Sequence, residues 1–219
     1  MFRNRHEAGL QLASLLEARS SPEALLLAIP RGGIEVACPI ARQLNRPLDV
    51  IIPRKVPSPD NSELAIGAVT FDGSIEIDQE LVMRLGLGAT DLEELIQPVR
   101  AEIDRRLRLY RGDRAAPKLR GSDIVLIDDG LATGYTMMAA VKSVRREDPR
   151  SIIVAVPVSP ESTYRRLQTM VNDVIVHHLA RGTLFAVSAF YNSFRDLSDA
   201  ELIQLLAACN APTHKSAVV

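Results

Sequence analysis

Residues 124–136 read Ile-Val-Leu-Ile-Asp-Asp-Gly-Leu-Ala-Thr-Gly-Tyr-Thr and carry the strongest structural signal in the chain. The first four are apolar, which is typical of a strand buried on both faces of a parallel sheet. Two adjacent acids follow at the strand end, where open α/β sheets bind their ligands. A loop of small and hydroxyl residues then leads into an amphipathic helical pattern. This order of elements predicts a binding site for a sugar phosphate.

Each part of this stretch has its own binding chemistry. Backbone N–H groups of residues 130–136 would converge at a helix N-terminus, where the helix dipole favours an anion. Asp128 and Asp129 are acceptors suited to a vicinal diol, and they could also hold a hydrated Mg²⁺ through water molecules. The alternative is an ordinary strand–turn–helix junction in which an Asp serves only as an N-cap.

The stretch resembles the signature of type I phosphoribosyltransferases, which bind 5-phosphoribosyl 1-diphosphate (PRPP). In that signature a hydrophobic strand and two acids precede three variable residues and a Thr-Gly-x-Thr loop. The resemblance implies that Asp128 and Asp129 bind the ribose hydroxyls. It also implies that the loop binds the 5′-phosphate through Leu131, Ala132, Thr133, Gly134, Tyr135 and Thr136.

A second loop of the same kind is Pro30-Arg31-Gly32-Gly33, between a buried strand and a helical pattern. It resembles the pyrophosphate-binding loop of the family, with Arg31, Gly32 and Gly33 as the binding residues. The family often has a non-proline cis peptide here, and we expect it at Arg31–Gly32. Without the first motif, a plain turn with a solvated arginine would be an equal interpretation.

Arg54 and Lys55 follow another strand end and complete the predicted pyrophosphate site. Residues 56–63 have the Pro/Ser/Asn composition of a mobile loop, which the resemblance assigns to closure over pyrophosphate. The resemblance thus implies a catalytic set of Asp128, Asp129, Lys55 and Arg31. It also implies Mg²⁺ as cofactor, held through waters near the acids and the pyrophosphate.

The order of elements predicts an α/β fold with a central, mostly parallel sheet and helices on both faces, and the resemblance implies that this fold is of the type I phosphoribosyltransferase kind. We expect one domain over residues 1–210, and the resemblance implies a small hood over the sheet edge from the N-terminal segment and residues 180–210. A hairpin is predicted from Ala65–Phe71 and Ser74–Ile77. Capping boxes are predicted at Thr90 with Glu93 and at Ser198 with Glu201, and residues 211–219 are expected to be a disordered tail.

Composition limits the partners. The chain has 219 residues and a formal net charge of −1, which gives no bulk attraction to nucleic acid or to membranes. No stretch has the length and apolar composition of a membrane span or a signal peptide. Cys38 and Cys209 are too few and too far apart in sequence for a disulfide framework or zinc site. We therefore expect a cytoplasmic protein, and we also expect a homo-oligomer, a dimer.

The reaction that the resemblance implies is transfer of ribose 5-phosphate from PRPP to a nitrogenous base, with release of pyrophosphate. Family members that act on 6-oxopurines typically have Asp where this chain has Ala132, so hypoxanthine and guanine are disfavoured. Phe185, Phe190 or Tyr191 could stack on the base, or could simply pack the last helix onto the sheet. Two other functions stay open: a non-catalytic sensor of PRPP or nucleotides, and a hydrolase of sugar phosphates.

Overall fold

The structure, a computed structural model, describes residues 1–59, 65–69, 75–181 and 185–210. Its strands are β1 (Leu25–Ala28), β2 (Leu48–Val50), β3 (Lys55–Pro57), β4 (Ala65–Val69), β5 (Ile75–Ile77), β6 (Asp123–Ile127), β7 (Ser151–Pro160) and β8 (Asp173–Ala180). Its helices are α1 (Arg5–Arg19), α2 (Gly32–Leu44), α3 (Gln79–Arg84), α4 (Ala89–Arg111), α5 (Tyr135–Arg146), α6 (Glu161–Gln168) and α7 (Asp199–Asn210), with a 3₁₀ helix at Val187–Phe190.

The central sheet has the strand order β2-β1-β6-β7-β8, and every neighbouring pair is parallel. Strands β1 and β6 pair directly, from Leu25 opposite Ile124 to Ala28 opposite Ile127. Parallel neighbours end at the same edge of a sheet, so the loops after β1 and β6 lie side by side. The predicted α/β fold with a central parallel sheet is confirmed.

Two apolar layers cover the sheet because its strands alternate their side chains between the faces. Leu26 and Val125 pack with helices α1, α2 and α7 on one face. Leu27 and Leu126 pack with α5 and α6 on the other face. Burial on both faces explains why these strands read as continuous apolar runs.

A second, antiparallel sheet has the order β3-β4-β5. The pairing of β4 with β5 confirms the predicted hairpin, whose turn at 70–74 lies outside the described residues. The prediction of a loop from residue 56 is wrong at its start, because Val56 lies in β3 and is buried with Ile66 and Val82. Residues 60–63 of that loop lie outside the described residues.

The first residues of the chain pair with the segment that precedes α7. The Phe2 N–H donates to the Phe190 carbonyl at 2.8 Å, and the Asn192 N–H donates to the Phe2 carbonyl at 2.8 Å. The Asn4 side chain caps α1, which packs on α2 at Gly9. A Cβ at Gly9 would lie 2.3 Å from the Val36 carbonyl oxygen, so only glycine permits this approach. These contacts fix the first turn of α1 near the carboxyl edge of the sheet.

The two predicted capping boxes had different outcomes. The Ser198–Glu201 box is confirmed, because the Ser198 N–H donates to Glu201 Oε2 at 2.8 Å at the start of α7. The Thr90–Glu93 box is wrong, because α4 begins at Ala89 and the Gly88 N–H donates to Asp91 Oδ2 at 2.8 Å. None of the described helices is both long and apolar enough to cross a membrane. The predicted tail at 211–219 lies outside the described residues.

Candidate active site

The acid pair lies at the end of β6, largely enclosed by protein. Asp128 Oδ1 accepts a hydrogen bond from the Asp129 N–H at 2.9 Å. Burial raises the pKa of Asp128 well above its ordinary value, and the Asp129 charge adds to this effect. Burial also raises the pKa of Asp129, whereas the nearby Arg5 guanidinium lowers it. At this pair, burial favours the protonated carboxyl groups, whereas the positive charge of Arg5 favours the ionised carboxylates.

Arg5, in the first turn of α1, is the cation that pairs with Asp129. Arg5 is only 3% exposed, and its Nε donates to Asp129 Oδ2 at 2.7 Å. Its Nη1 donates to Glu35 Oε1 at 3.2 Å and to the Arg195 carbonyl at 2.7 Å. Burial raises the pKa of Glu35, and Arg5 opposes that shift. Asp196 is the third carboxylate around this guanidinium, 3.5 Å from Nη2.

The loop after β1 packs directly against the acids. A Cβ at Gly32 would lie 2.1 Å from Asp129 Oδ2, and a Cβ at Gly33 would lie 2.6 Å from the Ile127 carbonyl oxygen. Glycine is therefore required at both positions for the two loops to meet. The non-proline cis peptide is present, but it is the Pro30–Arg31 bond, one position before the expected Arg31–Gly32.

The hydrogen-bond donors of the loop after β1 differ in how free they are to bind an anion. The Gly33 N–H already donates to the Ile29 carbonyl at 3.0 Å, so it belongs to the turn itself. The half-exposed Arg31 guanidinium has only long contacts, 3.4 Å to the Leu197 carbonyl and 3.5 Å to Asp196 Oδ2. Arg31 and the Gly32 amide are thus the groups best placed to meet a ligand.

The loop after the acids turns into α5 at Gly134. Gly134 has φ +76°, a left-handed conformation, and a Cβ there would lie 2.5 Å from Thr163 Cγ2. Leu131 has a buried side chain, and its N–H donates to the Val158 carbonyl at 2.9 Å, so it holds the loop in place. The first amides of α5 have no partner within the helix, and Thr133 and Thr136 are exposed beside them. The open hydrogen-bond donors of this loop therefore lie within residues 132–136.

A cleft of about 350 Å³ adjoins this loop. It is lined by Ala132, Thr133, Tyr135, Pro160, Ser162, Thr163, Arg166 and Phe185. The Tyr135 side chain points outward at 64% exposure, with the Arg166 guanidinium carbon 5.3 Å from its ring centre. Of the three aromatic residues named from the sequence, Phe185 lines this cleft. Tyr191 is buried, and its hydroxyl donates to the Asp129 carbonyl at 2.6 Å, whereas Phe190 packs against Phe185.

Arg54 and Lys55 line a separate cleft of about 360 Å³ against α4, together with Pro57, Pro98, Val99 and Glu102. Arg54 Nη2 is 3.7 Å from Glu102 Oε1. Hydrogen bonds from Arg105, which has the larger effect, and from Arg106 lower the pKa of Glu102 to about 2, so this carboxylate is ionised beside Arg54. The structure thus places Lys55 on β3 and Arg54 just before it, where both line this cleft against α4.

Among the described residues, no three His, Cys, Asp or Glu side chains come together as metal ligands. Two adjacent carboxylates are nevertheless a donor set that fits a hydrated Mg²⁺, which usually keeps several waters and completes its shell with substrate oxygens. Cys38 and Cys209 are both free thiols, although the fold brings them close enough for the Cys209 thiol to donate to the Cys38 carbonyl at 3.3 Å.

The sequence reasoning did not identify Arg5 or Glu35 as parts of this site, and it named Tyr191 only as an aromatic residue that could stack on the base. Arg5 and Asp129 are 124 positions apart, so no local pattern links them. One signal was available, because a cation in the first turn of a helix opposes the helix dipole and therefore suggests a partner elsewhere.

Known proteins resemble this chain over most of its length. The family model described as "Phosphoribosyl transferase domain" matches residues 11–179. Two Mycobacterium tuberculosis proteins, from strains CDC 1551 and H37Rv and each named "Putative phosphoribosyl transferase", are 34% identical to it over 207 residues. That alignment covers 94% of this chain and 46% of each relative, so the chain spans just under half the length of these relatives.

A solved structure agrees with this result. The crystal structure of the protein TT1426 from Thermus thermophilus has 34% sequence identity and a TM-score of 0.82, with 94% of this chain and 98% of that chain covered. The range matched by the family model includes both loops and both acids of the site described above. The chain belongs to the phosphoribosyl transferase domain family.

Proposed function

We propose that this chain is a phosphoribosyltransferase that transfers ribose 5-phosphate from PRPP to a nitrogenous base and releases pyrophosphate. The observation that carries the proposal is the contact between two loops that lie far apart in sequence. Gly32 abuts the Asp129 carboxylate, so a loop of the pyrophosphate-binding kind and a ribose-binding acid pair share one sheet edge. PRPP carries its pyrophosphate on the ribose, and binding it requires the two functions side by side.

The described residues have distinct tasks in this proposal. Asp128 and Asp129 accept hydrogen bonds from the ribose hydroxyls, each about 1.5–3 kcal/mol for a charged acceptor. The amides and hydroxyls of residues 132–136 bind the 5′-phosphate at the N-terminus of α5. Arg31 and the Gly32 amide bind the pyrophosphate. The resemblance assigns Lys55, on β3, and Arg54, just before it, to the pyrophosphate as well.

The bond from the ribose C1 to pyrophosphate breaks with oxocarbenium character, as in the cleavage of glycosides. The chain assists by holding the ribose and by stabilising the negative charge that grows on the leaving group. Mg²⁺ bound through waters near Asp128 and Asp129 would supply further positive charge to the pyrophosphate. The enclosure of the acid pair by protein also limits the access of water, which would otherwise take the ribosyl group.

The first experiment measures PRPP binding by calorimetry in the presence of Mg²⁺. We expect Asp129→Asn to weaken binding about tenfold or more, because one charged hydrogen bond is lost. Asp123→Asn is the matched control, since Asp123 begins the same strand at the opposite edge and accepts from the Ser151 hydroxyl at 2.6 Å. An equal affinity of both variants for PRPP would remove Asp129 from the site.

The second experiment measures pyrophosphate release with PRPP, Mg²⁺ and a panel of bases. Release that depends on one base would establish the transfer and identify the acceptor together. Tight PRPP binding without release under any base would support the sensor function instead. Absence of PRPP binding by the unmodified chain would overturn the proposal.

A further inference from the structure

We propose that Cys209 is an oxidation site and that Cys38 is the thiol that resolves it, so that a hydroperoxide converts the pair into a disulfide between α2 and α7. The proposal does not rest on the phosphoribosyltransferase function, because neither cysteine belongs to the acid pair or to its two loops. The two cysteines are 171 positions apart, so only the fold brings them together.

Reciprocal contacts between the two helices hold the thiols side by side. The Cys209 thiol donates to the Cys38 carbonyl at 3.3 Å, and the Cys38 thiol donates to the Leu205 carbonyl at 3.8 Å. Leu205 lies four residues before Cys209 in α7, and at this spacing a helical carbonyl accepts from the N–H group. Each sulfur atom therefore lies beside the backbone turn that carries the other cysteine, and the two side chains also hydrogen bond to each other.

The two thiols differ in exposure and in their electrostatic surroundings. Cys38 is only 1% exposed, whereas Cys209 is half-buried and can be reached by a small oxidant. The hydrogen bond with Cys38 lowers the pKa of Cys209 against the effect of burial, and the Arg42 charge lowers it further. The same hydrogen bond and burial raise the pKa of Cys38. Because the thiolate is the form that attacks a peroxide, Cys209 is oxidised first.

The surroundings of the pair favour redox chemistry over metal binding. A structural zinc site takes four ligands, and in the part of the chain that the structure describes no three His, Cys, Asp or Glu side chains come together. The charged neighbour of Cys209 is the Arg42 guanidinium, whose positive charge disfavours a metal ion and favours a thiolate. Two thiols beside a cation are typical of a pair that peroxide converts into a disulfide.

The oxidation has two balanced steps. The Cys209 thiolate attacks one oxygen of the hydroperoxide, so that an S–O bond forms, the O–O bond breaks, and the other oxygen leaves as an anion that takes a proton from water. Cys209 is then a sulfenic acid, and the peroxide has been reduced by two electrons. The Cys38 sulfur next attacks the Cys209 sulfur. The S–S bond forms, the S–O bond breaks, and the hydroxyl leaves with the Cys38 proton as water.

The test treats the full chain with hydrogen peroxide and measures free thiols by alkylation and the intact mass by mass spectrometry. We expect loss of both free thiols and of two hydrogen atoms at the mass of a single chain, both reversed by dithiothreitol. Methionine oxidation, for example at Met83, which is 73% exposed, adds oxygen that dithiothreitol does not remove. Survival of both thiols, or a disulfide that joins two chains, overturns the proposal.

Two cysteine variants separate the roles of the thiols. We expect peroxide-treated Cys38→Ala to hold a sulfenic acid at Cys209 that dimedone traps. In Cys209→Ser we expect Cys38 to react with peroxide about tenfold more slowly than the thiols of the unmodified chain, because a buried thiol is inert. An unchanged rate at Cys38, or no dimedone adduct at Cys209, overturns the order of oxidation.

A third variant tests the contribution of the cation. Arg42→Gln should slow the oxidation of Cys209 about threefold, since the thiolate loses its positive neighbour. Arg145→Gln is the matched control, because Arg145 is also an exposed residue in the last turn of a helix, and that helix, α5, packs on the other face of the sheet. Equal rates of the two variants contradict the activation of Cys209 by Arg42.

Thermal unfolding shows whether the disulfide fits the native packing. The bond would join residues 171 positions apart, so it constrains the unfolded chain strongly. We expect the Tm of the oxidised chain to rise by about 5 °C, to return on reduction, and to stay unchanged in peroxide-treated Cys38→Ala. An unchanged or lower Tm of the oxidised chain would show that the contact between α2 and α7 does not accommodate the bond, and it would overturn the proposal.

Discussion

Replacement of Gly32 by alanine tests the contact on which the proposed site depends. The new Cβ would lie 2.1 Å from Asp129 Oδ2 and 2.5 Å from Asp129 Cγ, whereas real Cβ contacts essentially never fall below 3.0 Å. The carboxylate must therefore retreat by about 0.9 Å, the difference between 3.0 and 2.1 Å. It cannot do so freely, because Arg5 Nε holds the same oxygen at 2.7 Å.

The size of the effect follows from that bond. Loss of a charged hydrogen bond in a partly buried site costs about 1.5–3 kcal/mol. We expect Gly32→Ala to lower the free energy of unfolding by about 2 kcal/mol and to raise the Kd for PRPP about tenfold. Urea denaturation measures the first quantity, and calorimetry in the presence of Mg²⁺ measures the second.

Gly88→Ala is the matched control, because Gly88 also lies beside an aspartate. A Cβ there would be 3.5 Å from Asp91 Oδ2, an ordinary contact, and the backbone N–H that Asp91 accepts is kept. Its free energy of unfolding is expected to stay within about 0.5 kcal/mol of the unmodified chain. Equal stability of the two variants would refute the close packing of Gly32 on Asp129. Lower stability of Gly32→Ala with unchanged PRPP affinity would refute the assignment of the ribose to Asp129.

Three further changes probe the same edge of the sheet and its support. Gly134→Ala places a methyl group 2.5 Å from Thr163 Cγ2 at a residue with φ +76°. The free energy of unfolding, measured by urea denaturation, should therefore fall by about 1–3 kcal/mol, and an unchanged denaturation midpoint would contradict this. Burial raises the pKa of Asp128, so the native chain holds this proton more tightly than the unfolded chain, and the free energy of unfolding should fall as the pH rises above about 4. Asp128→Asn should flatten that fall, and an identical slope would speak against it. Ser198→Ala removes the N-cap that pairs with Glu201 and should lower the free energy of unfolding by about 1 kcal/mol. Thermal unfolding measures this loss, and an unchanged Tm would show that the cap does not stabilise α7.

The parts of the fold that could be predicted are those that depend on residues close together in sequence. The apolar run before Asp128 predicted a buried strand because burial on both faces requires an uninterrupted series of apolar residues. The hairpin around residues 65–77 was predicted because its strands are close in sequence. The two loops of the candidate site, at residues 30–33 and 130–136, were recognised from glycines that follow strand ends. Gly32 and Gly134 have a steric reason to be glycine, and that reason explains why the pattern was informative.

The parts that could not be predicted depend on contacts between distant segments. Arg5 meets Asp129 only because α1 packs on α2 at Gly9, and no spacing rule connects the two residues. The start of α4 was placed at Thr90 because its hydroxyl fits a capping box. Gly88 takes that position instead, since Asp91 needs only a backbone N–H, which any residue but proline can donate. A side-chain pattern does not reveal such a donor.

The pairing of Phe2 with residues 190–192 has a consequence for how the site forms during synthesis. The sheet strands β1 and β6 and both of their loops leave the ribosome before residue 190 has been made. At that stage Arg5 still lacks the Arg195 carbonyl and the Phe194 ring that hold it. A nascent chain can therefore pair β1 with β6 early, but the guanidinium is fixed against the acid pair only after residues 194 and 195 have emerged.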